Sequence, residues 1–194
     1  MNTLPASLAN QTAVALYVST TDTAKLIRRA LKEAFPEIKF SVVSEKYSGG
    51  SSIRVRWTDG PSLKQVQAIA GTFQGGSFDG MTDCQGYRRH LMDGRPVAFG
   101  GTFVFCHREV SADKLSEAAA IIAKVPQDRR IGFAERFGLS FEEACACAWR
   151  GDESGREFAA RLLEAVAAKS FEGRKSALAD SVTFISDSND HEAV

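Results

Sequence analysis

The sequence predicts an α+β fold: a small antiparallel sheet with helices packed on one face, followed by an all-helical C-terminal subdomain. Three patterns carry that expectation. Ser52 to Trp57 alternates, with Ile53, Val55 and Trp57 on one face and Ser52, Arg54 and Arg56 on the other, the period of a half-buried strand. Leu26, Ile27, Ala30, Leu31 and Ala34 recur at helical spacing. From Ser111 onward the pattern is helical and stays so.

Residues 1–18 read as an N-terminal arm, poor in large apolar side chains, whose Ala13–Val18 stretch is able to add an edge strand. Ser19, with Asp22 three residues on, is a variant of the capping box. It opens a helix reaching to about Phe35, and Pro36 ends it. Its wet face carries Lys25, Arg28, Arg29 and Lys32.

Ile38 to Val43 is rich in β-formers and pairs with the Ser52–Trp57 strand as a hairpin. The connecting turn, Tyr47-Ser-Gly-Gly-Ser51, relies on glycine to reach backbone angles closed to other residues. Asp59-Gly60-Pro61 stops the second strand. Ser62 caps a short helix with Leu63, Val66, Ile69 and Ala70 at helical spacing.

Between Phe73 and Gly101 glycine recurs at Gly75, Gly76, Gly80, Gly86, Gly94, Gly100 and Gly101. This segment reads as a long functional connection around Phe78-Asp-Gly-Met-Thr-Asp83 and Tyr87-Arg-Arg-His90. A strand follows at Thr102–Cys106, with Gly100-Gly101 as a bulge at its start. Helices are expected from Ser111 to Val125, near 129–137 and 141–149, and over Glu153–Phe171. The resulting division is an arm (1–18), an α+β domain (19–110), a helical subdomain (111–172) and a disordered acidic tail (173–194).

At 194 residues with 44% hydrophobic content, the chain builds a real core. Basic and acidic side chains balance at 24 each, which excludes a strongly basic nucleic-acid binder as the default. Residues 1–58 nonetheless carry eight basic against four acidic side chains, and 152–194 five against nine. No apolar run is long enough to span a membrane. With no export signal and four cysteines that fit no disulfide framework, the expected compartment is the cytoplasm.

Several chemistries were weighed on spacing. Asp79, Cys84, Asp83, His90 and His107 lack the ligand spacing of a zinc site, and Asp79 before Gly80 reads as a turn former. Cys84 near His90 is the one pairing with the ingredients of a thiol nucleophile. Cys145 and Cys147 read as small core residues of a helix. The 47–51 turn offers backbone amides to an anion but leads into a strand, so no helix dipole assists it. Phe133 to Ala144 has helix-turn-helix spacing, yet its second helix opens with Glu142 and Glu143, which repel DNA. The expectation is no catalytic residue, no metal and no cofactor.

Thr23 to Pro36, Tyr47 to Ile53, Trp57-Thr-Asp-Gly-Pro61 and Phe78-Asp-Gly-Met81 together resemble the large polyvalent protein-associated domains, over about residues 17–110. These small α+β domains recur in proteins of phages, plasmids and conjugative elements. The resemblance implies a mobile-element accessory protein that acts against host defences, and it brings no catalytic residues with it. The expected function is binding and steric inhibition of a host defence complex, a CRISPR effector or restriction enzyme; the alternative is direct binding of incoming DNA. The contact residues expected from charge and aromatic content are Lys39, Tyr47, Arg54, Arg56, Trp57, Phe78, Tyr87, Arg88 and Arg89.

Overall fold

The computed structural model describes residues 14–81, 83–123 and 155–188. They fall into two compact units. The first takes its described residues from 14–55, 67–106 and 175–188, the second from 56–66, 107–123 and 155–174. Helices and two sheets are mixed throughout, so the α+β expectation holds.

The first unit begins with β1 (Leu16–Val18), which lies parallel to β6 (Arg95–Phe99) at the edge of a sheet. Helix α1 (Thr20–Ala34) starts where Ser19 Oγ accepts the Asp22 amide (3.1 Å) and donates to the Asp22 carboxylate (2.7 Å). Both capping groups are thereby satisfied. Ile27, Ala30, Leu31 and Ala34 are buried, and each of the larger side chains contributes about 2 kcal/mol by leaving water. The wet face is largely spoken for within the fold. Lys25 pairs with Asp22 and Arg29 with Glu33, while Arg28 donates to the Val42 carbonyl at 2.7 Å.

The hairpin forms with tighter boundaries than its composition suggests. Strand β2 is Ser41–Tyr47 and β3 is Gly50–Thr58, so only Ser48 and Gly49 make the turn. Gly49 takes φ 97° there, a conformation that disfavours any side chain. Ile38 to Phe40 precedes the strand, and the ring of Phe40 packs against Phe35 at 6.0 Å. A second sheet is ordered β2-β3-β7, with β7 at Phe103–Glu109.

The glycine-rich segment is not a long connection. It is three strands, β4 (Gly76–Asp79), β5 (Cys84–Met92) and β6, in an antiparallel meander. The β5–β6 turn is Asp93-Gly94, both with positive φ, the two-residue arrangement that suits the strand twist. Gly75, Gly76, Gly100 and Gly101 serve close approach. A Cβ on Gly75 would lie 1.8 Å from the Phe99 carbonyl oxygen, and one on Gly101 would lie 2.6 Å from Ile53 Cδ1. Gly100 and Gly101 are likewise no bulge. They carry the chain from β6 in one sheet to β7 in the other.

Within the expected disordered tail, residues 173–188 are folded, and 189–194 lie outside the described residues. Residues 177–180 form a helical turn, α5, and Val182–Asp187 forms β8, antiparallel to β5. Val182, Thr183, Phe184 and Ile185 are strand-forming residues set in an acidic, serine-rich stretch. Glu33 anchors the return, accepting from Ser176 Oγ (2.8 Å) and the Leu178 amide (3.2 Å). The core of this unit centres on Ile27, Leu31, Ile53, Phe73 and Phe99, with Phe73 and Phe99 edge to face at 5.5 Å.

In the second unit the Trp57–Pro61 corner is locked by the indole N–H donating to the Pro61 carbonyl at 2.9 Å. Asp59 and Gly60 both take positive φ. Helix α2 (Leu63–Ala70) opens here on a reciprocal cap between Ser62 and Gln65. Helix α3 (Ala112–Ala123) and helix α4 (Gly155–Ser170) pack together, and Leu162 is fully buried. Arg108, 8% exposed, donates to Glu164 at 2.7 Å and to the carbonyls of Asp59 and Gly60. The helices expected near 129–137 and 141–149, Cys145, Cys147 and the Phe133–Ala144 spacing lie outside the described residues, as does most of the arm.

Candidate functional site

Two surfaces of the first unit bring expected contact residues together. One is the outward face of the second sheet. Ile53 and Val55 turn into the core, which sends Arg54 outward. Arg54 pairs with Glu45 of β2, so its charge is partly neutralised. In the strands on either side of β3, Val43 and Phe105 are 50% and 56% exposed. Phe105 stacks on Phe103 at 6.1 Å. Arg56 belongs to the second unit; it is exposed and forms no ion pair among the described residues.

The other surface is a cleft of about 500 Å³ where β1, the hairpin turn, β5 and the Gly100–Thr102 crossover converge. Its floor is backbone. Ser51 Oγ donates to the Gly100 carbonyl and accepts the Thr102 amide (3.2 Å), and Thr20 Oγ1 donates to the same Gly100 carbonyl (2.9 Å). The Gly75 amide donates to Gly101 at 2.8 Å. Tyrosines line it. A Cβ on Gly50 would sit 3.2 Å from Tyr47 Cε2, and one on Gly100 would sit 2.6 Å from the Tyr17 hydroxyl, so glycine leaves the room both rings use. Tyr87 completes the set.

Two cations share this cleft. Lys46 is exposed and forms no ion pair among the described residues. Arg88 is half-buried, its Nε 3.7 Å from Asp187 Oδ2 and without a hydrogen bond, its guanidinium 6.0 Å above the Phe184 ring. No residue lining the cleft is acidic. Behind it lies His90, 3% exposed between Phe99 (5.3 Å) and Phe184 (5.8 Å). Burial, helped by the Arg88 cation, pushes its pKa down to about 4, so it is neutral at pH 7.

The expected contact residues therefore scatter. Tyr47, Tyr87 and Arg88 meet in the cleft; Arg54 and Arg56 stand on the outward face of β3. Lys39 is exposed ahead of β2, and Phe78 (58% exposed) and Arg89 are exposed on β4 and β5. Trp57 is different. At 3% exposure it is a core residue and has no surface to offer a partner. Tyr17 and Lys46 are cleft residues outside the expected contact set, and Ser51 entered the sequence reading only as part of the 47–51 turn.

The thiol pairing does not assemble. Six positions of strand separate Cys84 from His90, about 20 Å at the usual rise. Burial raises the Cys106 thiol to about 12. Asp79 is a turn former, its carboxylate accepting the Met81 amide at 2.9 Å. Among the described residues no group of three His, Cys, Asp or Glu stands close enough to hold a metal ion. No described helix is long and apolar enough to cross a membrane.

Residues 18–111 match the family model of large polyvalent protein associated domain 29. No curated protein and no solved structure matches the chain.

Proposed function

Residues 18–111 belong to the large polyvalent protein-associated domains, and from that premise we propose that the protein is a mobile-element accessory factor that binds a host defence complex and blocks it sterically. The target class is a CRISPR effector or a restriction enzyme, met in the cytoplasm. Support comes from the outward face of the β2-β3-β7 sheet, where Val43 and Phe105 stand half exposed in the strands flanking Arg54. A mixture of aliphatic, aromatic and arginine groups on rigid strands is what a protein interface core uses. Its charge is modest because Glu45 offsets Arg54, which suits a protein better than a phosphate backbone.

The test is protection of an incoming plasmid in a host carrying an active restriction or CRISPR system. The native chain raises transformation efficiency, and the double variant Val43→Asp, Phe105→Asp loses the gain while keeping its circular dichroism and melting temperature. Full protection by that variant overturns the assignment of the face. A second reading, direct DNA binding, is favoured by Arg56 of the second unit, an exposed cation with no ion pair among the described residues. It predicts retention of naked duplex that weakens steeply between 50 and 200 mM salt.

A further inference from the structure

The cleft between β1, the hairpin turn and β5 has a chemistry of its own, distinct from the sheet face above. We infer that it is a binding site for a nucleoside phosphate, the base stacked on its tyrosines and the phosphate held by Lys46 and Arg88. This neither uses nor requires the proposed contact with a defence complex.

Size comes first. About 500 Å³ lies within the range of small-molecule sites and suits a nucleotide. The second observation is the state of the aromatic side chains. Tyr17, Tyr47 and Tyr87 are 65%, 50% and 69% exposed on a surface where burial was the cheaper choice. Their rings come from three separate strands and line one cavity. Exposed tyrosines beside cations form the stacking platform that takes a nucleobase, whatever its identity.

The third observation is charge. Lys46 has no ion-pair partner among the described residues, and Arg88 Nε has no hydrogen bond. Asp187 lies 3.7 Å from that Nε, and it also accepts from Ser77 at 2.6 Å, so its hold on Arg88 is shared. No carboxylate lines the cavity, so a phosphate there meets Lys46 and Arg88, with Asp187 beside Arg88 but outside the lining. A bare anion leaves the rings unused; an uncharged aromatic leaves the cations unused. A nucleoside phosphate uses both.

Two sources supply that chemistry: a free nucleotide, or one unit of a single strand. Isothermal titration calorimetry of the full chain decides between them, with AMP, adenosine, inorganic phosphate, a twelve-residue oligodeoxyadenylate and its duplex as probes. Binding of AMP at least tenfold tighter than adenosine and than inorganic phosphate supports the site and assigns a free nucleotide. Binding of the single strand alone, at least tenfold over the duplex, supports it as a strand-binding site. Tyr87→Ala and Lys46→Glu alter exposed side chains, and each weakens the bound probe about tenfold. The inference is overturned if neither AMP nor the single strand binds, if inorganic phosphate binds as well as AMP, or if both variants bind like the native chain.

Discussion

Acid sensitivity localised to His90 is the sharpest consequence of this fold. The imidazole is 3% exposed, packed between Phe99 and Phe184, with Nδ1 lacking a partner. Arg88 on the same strand adds an unfavourable positive neighbour, while Asp187 of β8 faces Arg88. The folded pKa of about 4 lies below the ordinary 6.5, so the unfolded chain binds this proton more readily. Stability is therefore whole above pH 6.5 and declines as the pH falls from 6.5 towards 4. At 1.36 kcal/mol per unit, the loss is about 2 kcal/mol by pH 5 and about 3 by pH 4. The carboxylates whose pKa values are lowered, Asp22 and Glu33, give up their contribution only at lower pH. Among the described residues the window from 7.5 to 5 thus belongs to the histidine. Urea unfolding at those two pH values, for the native chain and for His90→Phe, measures it. The native chain loses about 2 kcal/mol and the phenylalanine variant loses little; His90→Leu gives a second apolar replacement if the larger ring disturbs packing. Equal losses in the native chain and both variants would refute the reasoning.

Gly75→Ala places a Cβ 1.8 Å from the Phe99 carbonyl and costs more than about 3 kcal/mol by thermal melting, whereas Gly80→Ala, with open space around it, changes stability by less than about 0.5 kcal/mol. Removing the Glu33 carboxylate by Glu33→Ala strips the Ser176 hydroxyl and the Leu178 amide of their acceptor, so amides of β8 exchange faster in hydrogen-exchange mass spectrometry by about tenfold. Glu164→Ala leaves the 8%-exposed Arg108 with carbonyl partners alone; because Glu164 is itself partly open to water, the expected loss is about 2 kcal/mol of unfolding free energy measured with urea rather than that of a fully buried pair.

What could be read from the chain was whatever is settled within a few residues. Ser19 with Asp22 starts a helix and Pro36 stops it; Ile53, Val55 and Trp57 alternate into the core; Asp79 makes its own turn. These depend on capping, proline geometry and a period of two, all local. The Trp57 motif illustrates the limit of that reading. Its strand was legible, but whether the ring faced a partner or the core depended on the Pro61 corner folding over it.

The remainder rested on groups distant in sequence. Glycine erases the alternation that marks a strand, so Gly75 to Gly101 resembled a loop until the approach of Phe99 and Thr102 explained the missing side chains. Val182-Thr-Phe-Ile185 carries strand-forming residues, but the acidic and serine-rich sequence around it hid them, and they form a strand by pairing with β5 after the turn that Glu33 holds. The cleft needs both effects at once. Tyr17 and Tyr87 lie on strands of one sheet and Tyr47 on a strand of the other, and only the folded unit sets them around one cavity. Side-chain chemistry is written in the sequence, but which side chains face one another follows from backbone hydrogen bonds that join distant segments, and only the folded chain makes those.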